Sequence, residues 1–311
     1  MGKVVLAIDI GGTKTAAGLV REDGTVLTGS RKPVVTESCR ALAGSLTAQC
    51  DALLRETDIR PEAIGIGVKG TVDDRTNRLV SASILGGRLE DDLCAMIADH
   101  YALPCRIDND VNAATLAEAA WGAGREHDTF AYVNVGTGTA IGLYDRGRLV
   151  RGTRNACGEI GYMPICLPGE DRVFLLESVA SGKGLSDEVR RLAGGYPSTK
   201  LLSSVQSGER IGAAEIFSAC RAGDMLAARV MEEACQALTF ALLHIECVTG
   251  AGLYVFGGGV VCDPLMFNRI AEMVPEYARR YDLPVAIEMR VSSLGAADAG
   301  LLGAAMLGLT A

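Results

Sequence analysis

Aromatic side chains are scarce, with six Phe, eight Tyr and one Trp making 5 % of 311 residues. The interior must therefore be built from Ala, Val, Ile and Leu. No apolar run approaches the roughly 20 residues of a membrane span. The apolar stretch at residues 4–10 is broken by Asp9 and is too short for a secretory signal. No Lys/Arg-rich run occurs, and 30 basic against 38 acidic residues leave a net charge of −8. A field of that sign repels phosphate backbones and anionic lipid, so neither nucleic acid nor a membrane surface is expected as partner. Ten cysteines are present, yet no two have C-x-x-C spacing, the usual mark of a zinc site. They read as free thiols of a reducing, cytoplasmic compartment. The three histidines, His100, His127 and His244, lie far apart and read as structural. With 49 % hydrophobic and 22 % charged residues, disorder is excluded.

Glycine, by contrast, is abundant at 38 residues. Residues 4–10 read as a strand broken by Gly11-Gly12, residues 15–20 as a second strand, and residues 25–28 as a third after the Asp23-Gly24 turn. A helix is expected over 38–56, with a Ser38 cap and Leu42, Leu46, Leu53 and Leu54 at helical spacing. Then follow a buried strand at 63–68, a helix at 89–101, a strand at 105–108 and an Ala-rich helix at 111–121. The opening pattern recurs: strand 132–135, the Gly136-Thr137-Gly138 loop, strand 139–144, a turn at Gly147 and strand 148–150. Helices at 224–248, 264–280 and 300–309 and strands at 253–256 and 285–288 complete the chain. The fold class expected is α/β, a duplicated β-meander plus parallel strands with helices, in two lobes. Residues 1–112 form the first lobe, with the helix at 300–311 packing back on it, and residues 113–299 form the larger second lobe.

Asp9-Ile10-Gly11-Gly12-Thr13-Lys14 is neither Walker A nor a dinucleotide fingerprint, because a second strand follows it. Bare backbone after a strand lets N–H groups approach a phosphate, and Asp9 at the strand end suits Mg²⁺, directly or through water. The copy at Gly136-Thr137-Gly138 allows a triphosphate to be gripped by two hairpins. Gly257-Gly258-Gly259 follows an apolar strand and suits either bare backbone against an adenine or ribose, or an ordinary loop into the next helix. In Asp108-Asn109-Asp110-Val111-Asn112 a strand hands over to a helix, where a carboxylate can accept a hydroxyl proton during phosphoryl transfer. Asn109 can bond sugar hydroxyls, and Asp110 suits a helix N-cap equally well. Glu159 and Glu177 each stand among small residues, as a pair bridging hexose hydroxyls would, and as solvated surface charges also do.

Together these motifs resemble the ROK family (repressors, open reading frames, kinases) of the actin-like ATPase superfamily, with its RNase H-like fold. The resemblance spans residues 3–309: phosphate loops at 9–14 and 136–138, a loop at 64–70, Asn109-Asp110-x-Asn112, Gly158-Glu159-Ile160-Gly161, Gly257-Gly258-Gly259 and the closing Leu294-Gly295 and Ala299-Gly300. It implies ATP-dependent phosphorylation of the 6-hydroxyl of glucose or a related hexose. Asp110 would be the general base. Asn109, Gly70, Glu159, Tyr162 and Glu177 would hold the sugar. Gly11, Gly12, Thr13, Lys14, Gly136, Thr137, Gly138, Gly257, Gly258 and Gly259 would hold ATP, Asp9 would hold Mg²⁺, and a homodimer would be the assembly. Tyr162 stands where the family usually has His, and its zinc-binding C-x-C-G-x-x-G-C stretch is missing, so no structural zinc is expected. The same Gly-Tyr replacement resembles β-glucoside kinases, while fructose, mannose, allose and N-acetylmannosamine are further acceptors the motifs do not separate. Lys69 replaces the usual Pro before Gly70. A sugar-responsive regulator and a catalytically weak sugar-binding protein are the alternative readings.

Overall fold

The structure, a computed structural model, describes residues 2–209, 211–295 and 298–311. Its first strands form a meander, β1 (Val4–Ile10), β2 (Lys14–Arg21) and β3 (Val26–Pro33), and are followed by helix α1 (Cys39–Arg55). Next come β4 (Ala63–Val68), a small sheet of β5 (Thr71–Asp73), β6 (Arg78–Ala82) and β7 (Gly87–Arg88), helix α2 (Leu93–Tyr101), β8 (Cys105–Asn109) and α3 (Asp110–Trp121). The main sheet has the order β3-β2-β1-β4-β8, with β1, β4 and β8 parallel. The central strands are buried on both faces, so they read as unbroken apolar runs. On one face Leu6, Ile8 and Ile66 meet Leu42 and Leu46 of α1 and Ile97 of α2. On the other, Ala7 and Ala16 meet Ala117 of α3 and Leu301, Leu302 and Ala304 near the C-terminus.

The pattern then repeats with β9 (Phe130–Val135), β10 (Thr139–Asp145) and β11 (Arg148–Val150). A hairpin, β12 (Pro164–Cys166) and β13 (Val173–Leu175), leads into α4 (Leu176–Val179), α5 (Gly182–Leu192), α6 (Leu202–Ser207), α7 (Ala213–Arg221) and α8 (Met225–Thr249). Finally come β14 (Leu253–Gly257), α9 (Pro264–Arg280), β15 (Glu288–Val291) and α10 (Ala299–Leu309). This sheet has the order β11-β10-β9-β14-β15, with β9, β14 and β15 parallel. Both sheets are thus a meander extended by two parallel strands, the duplication read from the sequence.

The chain divides into two compact units, one of Met1–Asp128, Gly142–Cys157 and Ser292–Ala311, the other of Thr129–Ile141 and Gly158–Val291. The sequence reading cuts at residue 112, whereas α3 stays whole in the first unit. A Cβ on Gly303 of α10 would lie 2.8 Å from the Ala113 and Ala114 backbone, so α10 and α3 are packed backbone to backbone. Other elements also differ from expectation. Strand β3 runs on to Pro33 through the polar Ser30-Arg31-Lys32, which pairs with β2 as an exposed edge and so carries no apolar signal. Helix α2 starts at Leu93 and not at residue 89, because Asp92 caps it by accepting from the Ala95 N–H, while the Leu89 N–H still pairs with Val80. Strand β15 begins at Glu288, where pairing with β14 starts. Residues 71–88 and 163–221 gave no element in sequence, yet hold β5 to β7, the β12–β13 hairpin and α4 to α7. Among the described residues no helix is long and apolar enough to cross a membrane.

Candidate functional site

In the first unit the parallel register aligns three strand ends. Val68 of β4 pairs with Ile10 of β1 on one side and Asn109 of β8 on the other. Gly11, Lys69 and Asp110 therefore leave the sheet side by side at its carboxyl edge, where ligands gather in open α/β sheets. The alternative of Asp110 as helix cap goes instead to Asn109. Its side-chain oxygen accepts from the N–H groups of Val111 (2.9 Å) and Asn112 (3.3 Å), and its amide donates to Gly70 O (3.1 Å). Asp110 is the first helical residue. Its Oδ1 accepts from the Val111 N–H at 3.1 Å, and among the described residues Oδ2 accepts no hydrogen bond. Burial pushes the Asp110 carboxyl above the ordinary carboxylate range, and the Lys69 ammonium opposes that rise.

Asp108 faces the other way, into the protein. Its Oδ1 accepts from the Asn109 N–H (2.7 Å), Asn112 Nδ2 (3.1 Å) and Asn155 Nδ2 (2.9 Å), and its Oδ2 accepts from Arg151. Asn155 also donates to Val72 O at 3.1 Å, so the start of α3 is tied to β5. Arg151 and Asn155 were missed in sequence. They lie 43 and 47 residues beyond Asp108, and nothing local in Arg151-Gly152-Thr153-Arg154-Asn155 signals a buried carboxylate partner.

Asp9 stands one residue before the end of β1. Burial, reinforced by the negative charge of Asp110 and opposed by Arg31, raises its carboxyl to about 7. A Cβ on Gly300, in the first turn of α10, would stand 2.3 Å from Asp9 Oδ2, so only glycine leaves this carboxylate its place. Among the described residues no three His, Cys, Asp or Glu side chains group as a metal cage. Mg²⁺ does not need one, since it takes one or two carboxylates and completes its shell with water and substrate phosphates. A carboxyl whose charged form is disfavoured by burial and by Asp110 fits that role, because a bound cation would supply the missing counter-charge. In the folded state Asp9 holds its proton up to about pH 7 against an ordinary 3.8, so the native protein binds more protons than the unfolded chain in that window. Stability of the ligand-free protein then falls as pH rises from about 4 to about 7. Asp9→Asn is expected to raise the unfolding temperature by several degrees at pH 8, a gain that fades towards pH 4. Thermal scans across this range check it, and an equal effect at both ends would overturn it.

The hairpin after β1 closes with Gly11 N–H donating to Lys14 O at 3.0 Å, leaving Gly12, Thr13 and Lys14 exposed. Apart from its chain neighbours, no atom of the described residues lies within 4 Å of a Cβ placed on Gly12. The same openness holds at Gly136 and Gly259 in the second unit. There Gly136 N–H donates to Gly138 O (2.9 Å), and Gly136 O accepts from Gly182 N–H (2.8 Å) at the start of α5. The Val260 N–H reaches Val135 O at 3.1 Å, which sets the Gly257-Gly258-Gly259 loop beside the Gly136 loop. Within that loop Gly257 answers to packing, because a Cβ would meet the Tyr132 hydroxyl at 2.0 Å, and Gly258 has φ +91. Gly70 is likewise fixed from inside, its Cβ position 2.6 Å from Ser81 O.

Glu159, Tyr162 and Glu177 come together in the second unit. Glu159 O accepts from the Tyr162 N–H at 3.3 Å in a single 3₁₀ turn, and Leu176 N–H donates to Met163 O at 2.9 Å. Glu177 Oε2 accepts from the Thr139 N–H at 2.9 Å and would stand 3.3 Å from a Cβ on Gly161. Tyr162 is 73 % exposed. The structure thus gathers Asp9, Gly11, Gly12, Thr13, Lys14, Gly70, Asn109 and Asp110 in one unit and the remaining candidates in the other.

The family model described as the ROK family matches residues 5–311. A glucokinase of Thermotoga maritima is 27 % identical over 97 % of this chain and 96 % of its own. An N-acetylmannosamine kinase of Yersinia pseudotuberculosis is 28 % identical over 98 % of each chain. Among solved structures, a ROK family glucokinase from Streptomyces griseus in complex with glucose and AMPPNP superposes with a TM-score of 0.81. It is 26 % identical, and the match covers 99 % of this chain and 100 % of that one.

Proposed function

The chain belongs to the ROK family, and from that premise we propose that it is an ATP-dependent kinase acting on the 6-hydroxyl of glucose or a related hexose. The observation carrying this reading is the Asp110 carboxylate, set by strand register beside the glycine hairpin of β1 with one oxygen uncommitted. Asp110 takes the hydroxyl proton, the sugar oxygen bonds to the γ-phosphorus, and the bond from that phosphorus to the departing ADP oxygen breaks. Mg²⁺, when bound near Asp9 with ATP, supplies charge neutralisation on the phosphates. Gly12 and Thr13 offer backbone donors and Lys14 a cation to the phosphates, while Gly11, whose own N–H is held by Lys14 O, lets the chain approach them closely. Gly136, Thr137, Gly138, Gly257, Gly258 and Gly259 of the second unit serve the phosphates and adenosine. The family resemblance assigns Asn109, Gly70, Glu159, Tyr162 and Glu177 to the sugar. Asp108 works behind them, holding the start of α3 through Asn112, Asn155 and Arg151. The family resemblance extends the proposal to a homodimer, which sedimentation equilibrium tests.

The test is ADP release over a panel of glucose, mannose, fructose, allose, N-acetylmannosamine and β-glucosides. Turnover with at least one acceptor is expected. Binding of a sugar with no turnover anywhere in the panel would replace this reading with that of a sugar-binding protein.

A further inference from the structure

The hairpin of β12 and β13 has the sugar candidates of the second unit at its base. Glu159 and Tyr162 stand shortly before β12, and Glu177 follows β13. Strands of three residues do not hold a hairpin in shape by themselves. Ile165 and Phe174, paired across the two strands, are buried, while Val173 and Leu175 face water. The far end is held by charge. Glu170 binds Arg229 of α8 (2.8 Å), which also binds Glu233 (2.7 Å). These pairs reach the surface, where such bridges contribute little.

Glu188 of α5 is different, because it is buried and both its oxygens are committed. Its Oε1 accepts from Arg172 Nη2 at 3.2 Å, and its Oε2 accepts from Arg191 Nε at 2.7 Å. The Arg172 guanidinium in turn lies 4.0 Å from the centre of the Phe174 ring. Removing the Glu188 charge would strip Arg172 of the carboxylate it binds, and losing one partner of a buried pair costs more than the pair itself contributes. The same helix also meets Glu177. Ser181 Oγ, the cap of α5, donates to Glu177 O at 2.7 Å, and a Cβ on Gly184 would stand 2.5 Å from that oxygen. Helix α5 therefore grips β13 on both sides, at Arg172 before it and at Glu177 after it.

We propose that Glu188 is a positioning residue for the sugar: its bond to Arg172 fixes the path of β13, and with it the orientation of Glu177. This rests on the sugar role that the kinase reading gives to Glu177, whereas the anchoring of β13 does not.

Three measurements test it on the full chain. With whichever sugar the panel selects, Glu188→Gln should raise the sugar KM, and the sugar Kd by calorimetry, by about 10-fold or more, with kcat at saturating sugar and the ATP KM within about threefold. Arg172→Met alters a half-exposed side chain and leaves Glu188 bound to Arg191. It should raise the sugar KM by at least about threefold, and the double variant should be no worse than Glu188→Gln alone, as for two groups acting through one bond. In the ligand-free protein, the amides of residues 173–177 should exchange about 10-fold faster or more in either variant, while those of β9 and β14 stay as they are. A loosened β13 with an unchanged sugar KM would overturn the proposal and leave the kinase reading standing. Unchanged exchange, or kcat and both KM values worsening together, would overturn it as well. A natural protein that neither binds nor turns over any sugar of the panel would remove both readings.

Discussion

Asp110→Asn is expected to lower kcat by about 10²- to 10⁴-fold, the usual contribution of a positioned general base, while sugar affinity stays within a few-fold of the natural protein. The substitution keeps size and shape, and it spares the cap of α3, which belongs to Asn109 and not to Asp110. What it removes is the lone pair on Oδ2 that would take the acceptor's proton. The base must be ionised to act. Because burial raises the Asp110 carboxyl, turnover of the natural enzyme should fall on the acid side at a pH above the ordinary carboxylate range. Steady-state ADP release across pH, with calorimetric sugar titration of the variant, gives both quantities. More than a tenth of the natural kcat in Asp110→Asn would remove Asp110 from the role of base.

The largest effect on stability is expected at Gly65, in the middle of β4. A Cβ there would stand 1.8 Å from Ala304 O and 2.6 Å from Gly308 N, both backbone atoms of α10 that no rotamer change can clear. Gly308 answers it from the helix side, where a Cβ would meet Val5 Cγ1 at 2.4 Å and Gly65 N at 3.0 Å. Helix and strand thus touch backbone to backbone, and Gly65→Ala must push α10 off the sheet. The expected cost is about 3 kcal/mol or more, as for severe overpacking of a core. Gly67, two residues along the same strand face, serves as the control. Its Cβ would meet Ala113 Cβ at 3.7 Å and Ala304 Cβ at 3.9 Å, ordinary contact distances, so Gly67→Ala should stay within about 1 kcal/mol. Urea midpoints of the two variants decide the matter, and equal midpoints would refute close docking of α10. Since Gly300 of α10 borders Asp9, Gly65→Ala should also disturb the strand-end cluster and lower turnover.

Much of this was written locally in the chain. The apolar runs of β1, β4 and β9 and the Ser38 cap of α1 announce themselves over a few residues. So do the glycine loops and the polar segment from Asp108 to Asn112, because strand, helix and cap chemistry act over one or two turns. The duplicated meander was legible because each copy repeats that local chemistry in the same order. Other features depend on residues that meet only when two parallel strands and a helix settle into register. Asn109 rather than Asp110 became the cap once α3 began at the β8 edge. Arg151 and Asn155 found Asp108 across dozens of intervening residues. Lys69 gained its setting from Val68 pairing on both sides. Gly65 and Gly308, far apart in the sequence, explain each other only after α10 lies on β4. Hydrophobic periodicity says which face of an element is buried, but the partner on that face is chosen by shape and register, and those belong to the assembled sheet.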